Sequence, residues 1–376
     1  MGNKTNYRLL FVLALLVVLA SAYYLSSPFL KKAENTSISK VTEVEEKNEA
    51  TKEIPRVSIF AQNLEIPWEL IFLPDKSALF TERPGRVRLI DANGNLKETP
   101  ILEITDVKTN GEGGLLGITL HPNFTNNNFV YLYYTYANSS NNTLNRVVRY
   151  KYSNEKLTDR KIIVDNIPGS IFHNGGRLKF GPDGFLYITA GDAQKPSLAQ
   201  DKNSLAGKIL RVTNEGNAAP GNPFNNLTYS YGHRNPQGLA WDSQNKLWET
   251  EHGDNATDEV NLIEIGKNYG WPEIIGSKTR LGMISPVIQS GNATWAPGGT
   301  AFYNDSLFFT GLKGNALFKL KGNDNLTEYF KGEYGRLRDI VIGPDNMFYI
   351  LTSNRDGRGI PKTDDDKILR VNPKKL

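Results

Sequence analysis

The chain has 376 residues, 39% of them hydrophobic, so it can bury a large core without a stabilising disulfide or metal ion. It contains no cysteine, which excludes disulfides, thiolate metal sites and a cysteine nucleophile. The formal net charge is only +4, and basic and acidic residues are interleaved along the folded part, which argues against nucleic acid as a partner.

The N-terminus has the pattern of an export signal. Lys4 and Arg8 precede an uncharged apolar run from Leu9 to Leu25, as is typical of targeting segments. Residues 1–30 are therefore predicted to be a signal anchor, or a signal peptide cleaved after Ala22. Both interpretations place the bulk of the chain outside the cytoplasm, and the length of the run favours a retained transmembrane helix and a membrane-anchored protein.

A polar segment separates this leader from the folded domain. Residues 31–54 are rich in Lys, Glu, Asn, Ser and Thr and have few large apolar side chains, which predicts a flexible, disordered tether. Residues 55–376 are predicted to fold. The Asn-x-Ser/Thr triplets in this domain are permissive for surface glycosylation, although an Asn- and Thr-rich chain also produces them by chance. They begin at Asn123, Asn138, Asn141, Asn226, Asn255, Asn292, Asn304 and Asn325.

A unit that recurs six times predicts the fold. Each unit has an apolar stretch, a turn of Pro, Asp, Asn or Gly, and then a strand in which aromatic and β-branched residues alternate with others. Helical periodicity is almost absent between the units, so the pattern indicates an all-β, six-bladed β-propeller. A β-sandwich or an irregular barrel is the alternative, but neither needs such regular repetition. The units are 70–83, 118–135, 178–192, 239–253, 300–314 and 340–354.

A second strand is predicted to end the unit in several repeats. These strands are 87–91, 208–213, 316–322 and 367–373.

The loops that precede the repeated units contain most of the residues with chemical potential. In a propeller such loops meet around the central channel at one face. They bring His173, Arg234, Arg336 and Arg338, and Lys313 comes from the end of the fifth unit. Cations that converge in this way predict a pocket for an anion with several carboxylates or phosphates. For any single arginine, a surface salt bridge is the alternative.

Two further features point to catalysis and to a metal. His173 is predicted to be a general base, because the glycines beside it allow close approach of a substrate and nearby cations keep an imidazole neutral. The segment 251–261, followed by 267–272, concentrates carboxylates in turns. Such turns offer the hard oxygen ligands that calcium prefers, or form an acidic solvated loop.

Four stretches together resemble the soluble PQQ-dependent glucose and aldose sugar dehydrogenases, the glucose/sorbosone dehydrogenase family. They are 173–192, 231–241, 251–272 and 335–345, and the resemblance extends from Val57 to the C-terminus. It implies that pyrroloquinoline quinone (PQQ) lies flat over the channel mouth, bridged by calcium to backbone carbonyls. It also implies that a histidine takes the proton of the sugar C1 hydroxyl while hydride passes to the quinone.

The resemblance assigns expected roles to individual residues of this sequence. It implies His173 and Arg234 as catalytic residues. Calcium at the cofactor would use the carbonyls of Gly253 and Asp254, and a second, structural calcium would match Glu259 and Tyr269. The residues expected to bind the cofactor are Glu112, Asp192, Arg234, Asn235, Gln237, Thr294, Lys313, Arg336 and Arg338.

The sequence departs from the family pattern at two of these positions. Asp254 replaces the proline that family members often have, which makes the loop less stiff. Glu112 stands where glutamine is common. A carboxylate there would repel a tricarboxylate cofactor unless it is protonated or paired with a cation such as Arg234.

The leading hypothesis is therefore Ca²⁺/PQQ-dependent oxidation of aldose sugars to lactones, with electrons passed to an external acceptor that is a quinone or a redox protein. A non-catalytic extracellular propeller that binds glycans or proteins is one alternative. A calcium-dependent propeller lactonase without a quinone is another. The expected partners are a small aldose, the electron acceptor and the membrane, through the N-terminal helix, and a homodimer is left open.

Overall fold

The computed structural model describes residues 53–376. The predicted leader, 1–30, and all but the last two residues of the predicted tether, 31–54, lie outside the described residues. Within residues 53–376 no helix is both long enough and apolar enough to cross a bilayer.

Twenty-four strands form six four-stranded antiparallel sheets in the described part of the chain. The sheets follow one another along the sequence, and the first strands of neighbouring sheets pack against each other around a ring. The fold is an all-β six-bladed propeller, which confirms the fold predicted from the repeated unit.

Each sheet is one blade, and its strands run from the channel outwards. Blade 1 consists of β2 (Pro67–Phe72), β3 (Ala78–Glu82), β4 (Arg86–Ile90) and β5 (Leu102–Glu103). Blade 2 consists of β6 (Leu115–Leu120), β7 (Phe129–Ala137), β8 (Thr143–Ser153) and β9 (Lys156–Pro168). Blade 3 consists of β10 (Leu178–Phe180), β11 (Leu186–Ala190), β12 (Lys208–Val212) and β13 (Thr228–Tyr231). Blade 4 consists of β14 (Pro236–Trp241), β15 (Leu247–Glu251), β16 (Glu259–Ile263) and β17 (Ile288–Gln289). Blade 5 consists of β18 (Pro297–Tyr303), β19 (Ser306–Gly311), β20 (Ala316–Lys321) and β21 (Asn325–Tyr329). Blade 6 consists of β22 (Leu337–Ile342), β23 (Phe348–Thr352), β24 (Ile368–Val371) and β1 (Val57–Ala61). Two single-turn α-helices, Phe124–Asn127 and Ser197–Gln200, and a 3₁₀ turn, Pro373–Lys375, complete the described elements.

The repeated sequence unit is the hairpin of the first two strands of each blade. In blade 3, for example, Lys179 pairs with Tyr187 across the hairpin, and Gly184 donates its N–H to the Gly181 carbonyl in the turn at 2.9 Å. The sequence 178–192 therefore contains both the Pro-Asp-Gly turn and the two strands that it joins.

The strands predicted to end the unit lie at the predicted positions, but they are the third strands of their blades, and each pairs with a fourth, outer strand. The prediction that they end the unit was wrong. The fourth strands give a weak sequence signal because two of them, β5 and β17, have only two residues, and β21 is mostly exposed. They have little apolar alternation to detect.

The ring is closed by strands from opposite ends of the domain. β1 supplies the outer strand of blade 6 and pairs with β24, so that Val57 lies opposite Val371. This pairing joins the first strand of the domain to its last blade and leaves no open seam between blade 6 and blade 1.

Six apolar clusters lie between neighbouring blades, one for each blade interface. Between blades 5 and 6, for example, the rings of Phe308 and Phe348 meet edge to face with centroids 4.9 Å apart. Each sheet is therefore buried on both faces, and burial of apolar surface between blades stabilises the ring.

The strand directions determine which loops can form a site. Because the four strands alternate in direction, the loop that leads into the first strand and the turn between the second and third strands lie at the same face. We call these the leading loop and the second turn of a blade. The cavity described next lies at this face.

Candidate active site

A cavity of about 490 Å³ lies over the channel mouth. Leading loops of blades 2 to 6 and second turns of blades 1, 4, 5 and 6 provide its walls. Nine of the sequence-predicted site residues line it together, although they are scattered over more than 200 positions of the sequence. They are Glu112, His173, Arg234, Gln237, Gly253, Thr294, Lys313, Arg336 and Arg338.

The other predicted residues lie close by but outside this cavity. Asp192 and Asn235 are completely buried behind its wall. Asp254, Glu259 and Tyr269 line a small neighbouring cavity that shares Arg234, His252 and Gly253 with the large one. The structure therefore places Asp192 and Asn235 as residues that hold the cavity wall.

His173 is held with its imidazole against Asp192. The His173 Nδ1 atom lies 2.7 Å from Asp192 Oδ1. Asp192 also accepts the Gln194 backbone N–H and the Trp271 indole N–H, both at 2.8 Å. Because an ionised carboxylate only accepts, the His173 proton resides on Nδ1 and the lone pair of Nε2 is available to the cavity.

The backbone around His173 is unusual. His173 has a φ of 61°, and its N–H donates to Glu112 Oε2 at 3.1 Å. A Cβ atom at Gly191 would lie only 2.1 Å from the His173 carbonyl oxygen. Glycine at 191 therefore allows the leading loop of blade 3 to pack against its second turn, which brings Asp192 to the imidazole.

The departure at Glu112 is compensated by a cation that the sequence prediction missed. Glu112 Oε1 accepts from Arg358 Nη1 at 2.9 Å. Burial works against ionisation, but the nearby His252 and Arg358 hold the pKa of Glu112 below its usual value. The suggestion of Arg234 as the partner was wrong, since the Arg234 guanidinium forms its ion pair with Asp254, at 3.6 Å.

The two arginines of blade 6 differ in how they are neutralised. Arg336 donates from Nε and Nη2 to Asp356 Oδ2 at 2.9 and 2.8 Å. Arg338 has no carboxylate partner: its Nη1 donates to Gln237 Oε1 at 3.2 Å, and its buried Nε has no acceptor among residues 53–376. Burial lowers the pKa of Arg338 to about 9, which leaves it protonated at neutral pH. Arg338 is therefore a buried cation that an anion would stabilise.

Irregular strand pairing aims several side chains into the cavity. The register shifts between Pro67 and Leu70, between Pro236 and Gly238, and between Leu337 and Asp339, at the site end of three inner strands. Trp68, Gln237 and Arg338 lie within these bulges and line the cavity. Bulges redirect side chains in this way.

The calcium region contains an unusual group of carboxylates, two of them buried and one half-buried. Glu249, Glu251 and Glu259 all lie within 3.3 Å of the Asn261 Nδ2 atom. Burial and the neighbouring Glu251 raise the pKa of Glu259 to about 8. Glu249 Oε1 and Asn261 Oδ1 have no hydrogen-bond partner in the described structure. A cation would neutralise this group and use the free oxygens.

Tyr269 can contribute only its backbone to such a site. Its hydroxyl donates to the Leu262 carbonyl at 2.7 Å and accepts the Glu264 N–H at 2.8 Å. Its ring stacks on His233, with centroids 4.8 Å apart. The hydroxyl is therefore occupied, and the Tyr269 carbonyl is the remaining ligand atom.

Comparison with known proteins identifies the family. The family model described as Glucose / Sorbosone dehydrogenase matches residues 64–368, which is most of the chain and nearly all of the propeller. The chain belongs to the glucose/sorbosone dehydrogenase family. This confirms the resemblance inferred from the four sequence stretches.

Relatives with similar sequences and structures agree with this result. The aldose sugar dehydrogenase YliI of Escherichia coli is 32% identical over 355 residues, which cover 85% of this chain and 93% of the relative. The quinoprotein glucose dehydrogenase B of Acinetobacter calcoaceticus is 33% identical over 253 residues, which cover 58% of this chain and 53% of the relative. The PQQ-bound aldose sugar dehydrogenase of Streptomyces coelicolor superposes with a TM-score of 0.79 at 39% identity, covering 84% of this chain and 97% of that structure.

The sequence prediction missed several residues of this glucose/sorbosone dehydrogenase cavity. Arg83 lies in the second turn of blade 1, and Asp356 and Arg358 lie in the second turn of blade 6. Their position in the repeat could have revealed them, because Lys313 and Gly253, which the sequence analysis did select, lie in the equivalent second turns of blades 5 and 4. His252 also lines the cavity and donates from Nε2 to the Pro297 carbonyl at 2.9 Å.

Proposed function

We propose that the chain oxidises the C1 hydroxyl of aldose sugars to lactones with calcium-bound PQQ and passes the electrons to an external acceptor. The observation that carries the proposal is the His173 imidazole, which is fixed by Asp192 and presents Nε2 to a cavity with buried cations. Membership of the glucose/sorbosone dehydrogenase family defines the broader class, a PQQ-dependent sugar oxidoreductase.

The polar groups of the cavity fit a carboxylated quinone. Among residues 53–376, the Nε atoms of the cavity-lining Arg338 and Arg234 are buried without an acceptor. PQQ is a tricarboxylate, so its oxygens are the acceptors that such donors lack. Arg338, Lys313 and Arg234 would hold its carboxylates and ring oxygens, while Asn235 and Gln237 support the wall behind them.

The residues of the chain divide the remaining chemistry between them. When bound, PQQ supplies the two-electron acceptor for the hydride of the sugar C1 atom. His173 Nε2 accepts the C1 hydroxyl proton, and Asp192 stabilises the imidazolium that results. Glu112 holds the His173 backbone in place, and Arg234 stacks on Trp271 with its guanidinium 5.2 Å from the ring centroid. Arg234 is therefore positioned to stabilise negative charge that develops on the oxygens.

Calcium completes the proposal in two places. The Gly253 and Asp254 carbonyls would hold one ion beside the cofactor, where it would supply Lewis-acid chemistry. Glu259 and the Tyr269 carbonyl would hold a second ion in the neighbouring cavity. The support for this second site is the group of three carboxylates around Asn261, in which Glu249 Oε1 and Asn261 Oδ1 have no hydrogen-bond partner among the described residues.

The ion pairs of the channel disfavour a lactonase. A propeller hydrolase of that kind needs carboxylates that coordinate a calcium ion inside the channel. In the described residues, the channel carboxylates Glu69 and Asp339 both contact Arg177 Nη1, at 2.7 and 3.0 Å. Both carboxylates are therefore already engaged by a guanidinium rather than free to coordinate a metal ion.

The proposal is tested by titrating PQQ into calcium-loaded protein. We expect saturable binding with a change in quinone absorbance, followed by reduction of a dye acceptor when an aldose is added. Calcium with protein alone should give no dye reduction. PQQ binding without reduction by any aldose would support the non-catalytic propeller, and no PQQ binding would overturn the proposal.

We expect calcium to raise the melting temperature of the PQQ-free protein through Glu259. A ligand at a hundredfold excess over its Kd stabilises the folded state by about 2.7 kcal/mol. In E259Q this calcium-dependent increase should be lost, because the variant removes an anionic ligand. E264Q is the matched control, since Glu264 is exposed and only five positions away. Differential scanning calorimetry measures the increase in melting temperature that calcium causes in each variant. An equal increase in E259Q and E264Q would contradict the assignment of Glu259 as a calcium ligand.

The location of the enzyme is also part of the proposal. The charged N-terminus and the apolar run at 9–25 support an extracytoplasmic domain that is anchored by the segment 1–30. An electron acceptor in or near the membrane fits this arrangement. Fractionation of cells that express the full chain, with and without residues 1–30, tests the anchor.

A further inference from the structure

Three of the cations that line the cavity have a carboxylate close to them. Arg336 is bonded to Asp356 at 2.8 Å, and Arg358 is bonded to Glu112 at 2.9 Å. Arg234 has Asp254 at 3.6 Å. A guanidinium that already shares its charge with a carboxylate gains less from a second anion.

The other three cations have no such partner. Arg83, Lys313 and Arg338 line the cavity, and none of them forms an ion pair with a residue of the described chain. The side chains of Arg83 and Lys313 also make no hydrogen bond there. The cavity therefore contains three cations that are not neutralised, and they come from blades 1, 5 and 6.

The local structure of blade 1 places the Arg83 side chain in the cavity. Arg83 occupies the second turn of the blade, where its N–H donates to the Ile66 carbonyl and its own carbonyl accepts from the Leu115 N–H. A Cβ atom at Gly114 would lie 2.3 Å from Arg83 Cγ. Glycine at 114, with a φ of 150°, therefore leaves the space through which the arginine stem passes.

The surroundings of Arg83 favour an incoming anion. The side chain is half-buried, and burial lowers the pKa of Arg83 despite the nearby charges of Asp356 and Glu112. Both of those carboxylates are already bonded, to Arg336 and to Arg358. A carboxylate from a ligand would restore the electrostatic stabilisation that burial removes.

We infer that Arg83 is a further anchor for the quinone cofactor and that it binds one of the three PQQ carboxylates, alongside Lys313 and Arg338. This inference rests on the proposed function. It assigns a third cation to the three carboxylates of the ligand, so that the bound cofactor neutralises the unpaired charges of the cavity. Arg83 is thus a binding residue for the cofactor and takes no part in proton transfer.

The inference is tested by PQQ titration of calcium-loaded R83M, followed by quinone absorbance. We expect the Kd for PQQ to rise about 10- to 100-fold, as for loss of a charge-assisted hydrogen bond. R83K should bind with intermediate affinity, because lysine keeps the charge and loses the planar fork. The Kd of wild type should also increase more steeply with salt than that of R83M, since the variant forms one ionic contact fewer.

R86M is the matched control, because Arg86 belongs to the same hairpin but lies outside the cavity. Its buried partner, Glu82, keeps a second arginine, Arg88, at 3.3 Å, so the hairpin stays neutralised. We expect R86M to bind PQQ like wild type.

If wild type binds PQQ and R83M binds it equally tightly, the role of Arg83 is refuted while the proposed function stands. A raised KM for the sugar with an unchanged Kd for PQQ would refute it too. If wild type itself fails to bind PQQ, the proposed function fails.

Discussion

H173Q is expected to lower kcat by about 10²- to 10⁴-fold, the contribution of a positioned general base. Glutamine fills much of the same space, but its amide cannot accept a proton from the sugar hydroxyl at neutral pH. The Kd for PQQ should stay close to that of wild type, because the cations that hold the carboxylates remain in place. Steady-state dye reduction and PQQ titration of the same preparation measure both quantities.

H121Q provides the control for this variant. His121 lies in the turn after β6, where its Nδ1 accepts the Asn123 N–H at 3.0 Å, and it does not line the cavity. We expect full activity from H121Q. A H173Q enzyme that keeps wild-type kcat would remove His173 from the mechanism, and one that loses PQQ binding would show that its main role is to hold the cofactor.

D192N is expected to lower kcat by a similar factor, about 10²- to 10⁴-fold, through the tautomer of His173. An asparagine amide can donate to His173 Nδ1, and the imidazole proton then moves to Nε2. In that form the cavity-facing nitrogen has no lone pair for the sugar hydroxyl proton. Because Asp192 is buried behind the wall, the variant should bind PQQ normally.

The pH profile distinguishes this positioning role from a merely structural one. Asp192 also stabilises the imidazolium, so kcat of D192N should show an altered pH dependence on the acidic side, whereas a folding defect would lower activity at every pH. D183N is a suitable control: Asp183 lies in the first turn of the same blade and bonds Arg211 at 2.8 Å, away from the cavity. A D192N enzyme with wild-type kcat would contradict the proposed tautomer.

For the general base, His173, the sequence predicted the location but not the hydrogen bond that orients its side chain. His173 stands among glycines before a repeated hairpin, so both its face of the propeller and its neighbours could be predicted. The contact of His173 with Asp192 depends on the close approach of two loops in the tertiary structure. Glycine at 191 permits this approach, because a side chain there would collide with the His173 carbonyl. The sequence therefore predicted that both residues belong to the site and did not predict that one orients the other.

The electrostatics of the cavity were less predictable than its composition. The sequence placed Arg336 and Arg338 together as anion-binding residues, but Arg336 is neutralised by Asp356, whereas no carboxylate of the described residues pairs with Arg338. Two residues apart in sequence, they differ because Arg338 lies in the bulge between Leu337 and Asp339. The bulges of this chain share no recognisable amino-acid pattern. The direction of a side chain within a bulge therefore could not be predicted from the alternation of apolar and polar residues.

The sequence by itself determined the six-bladed propeller and the face at which the site lies, and the resemblance to the glucose/sorbosone dehydrogenases supplied most of the residues expected around that site. The fold and the face follow from short-range order: a turn between two alternating strands needs only about fifteen consecutive residues to be recognised, and six copies define the ring. The tertiary structure alone decided which charges are paired. Glu112 and Arg358 are 246 positions apart, and Arg83, which the sequence did not predict, lies in blade 1, whose turns contain no predicted site residue. Such contacts depend on how the ring closes and on the space that each loop leaves, which local sequence periodicity does not encode.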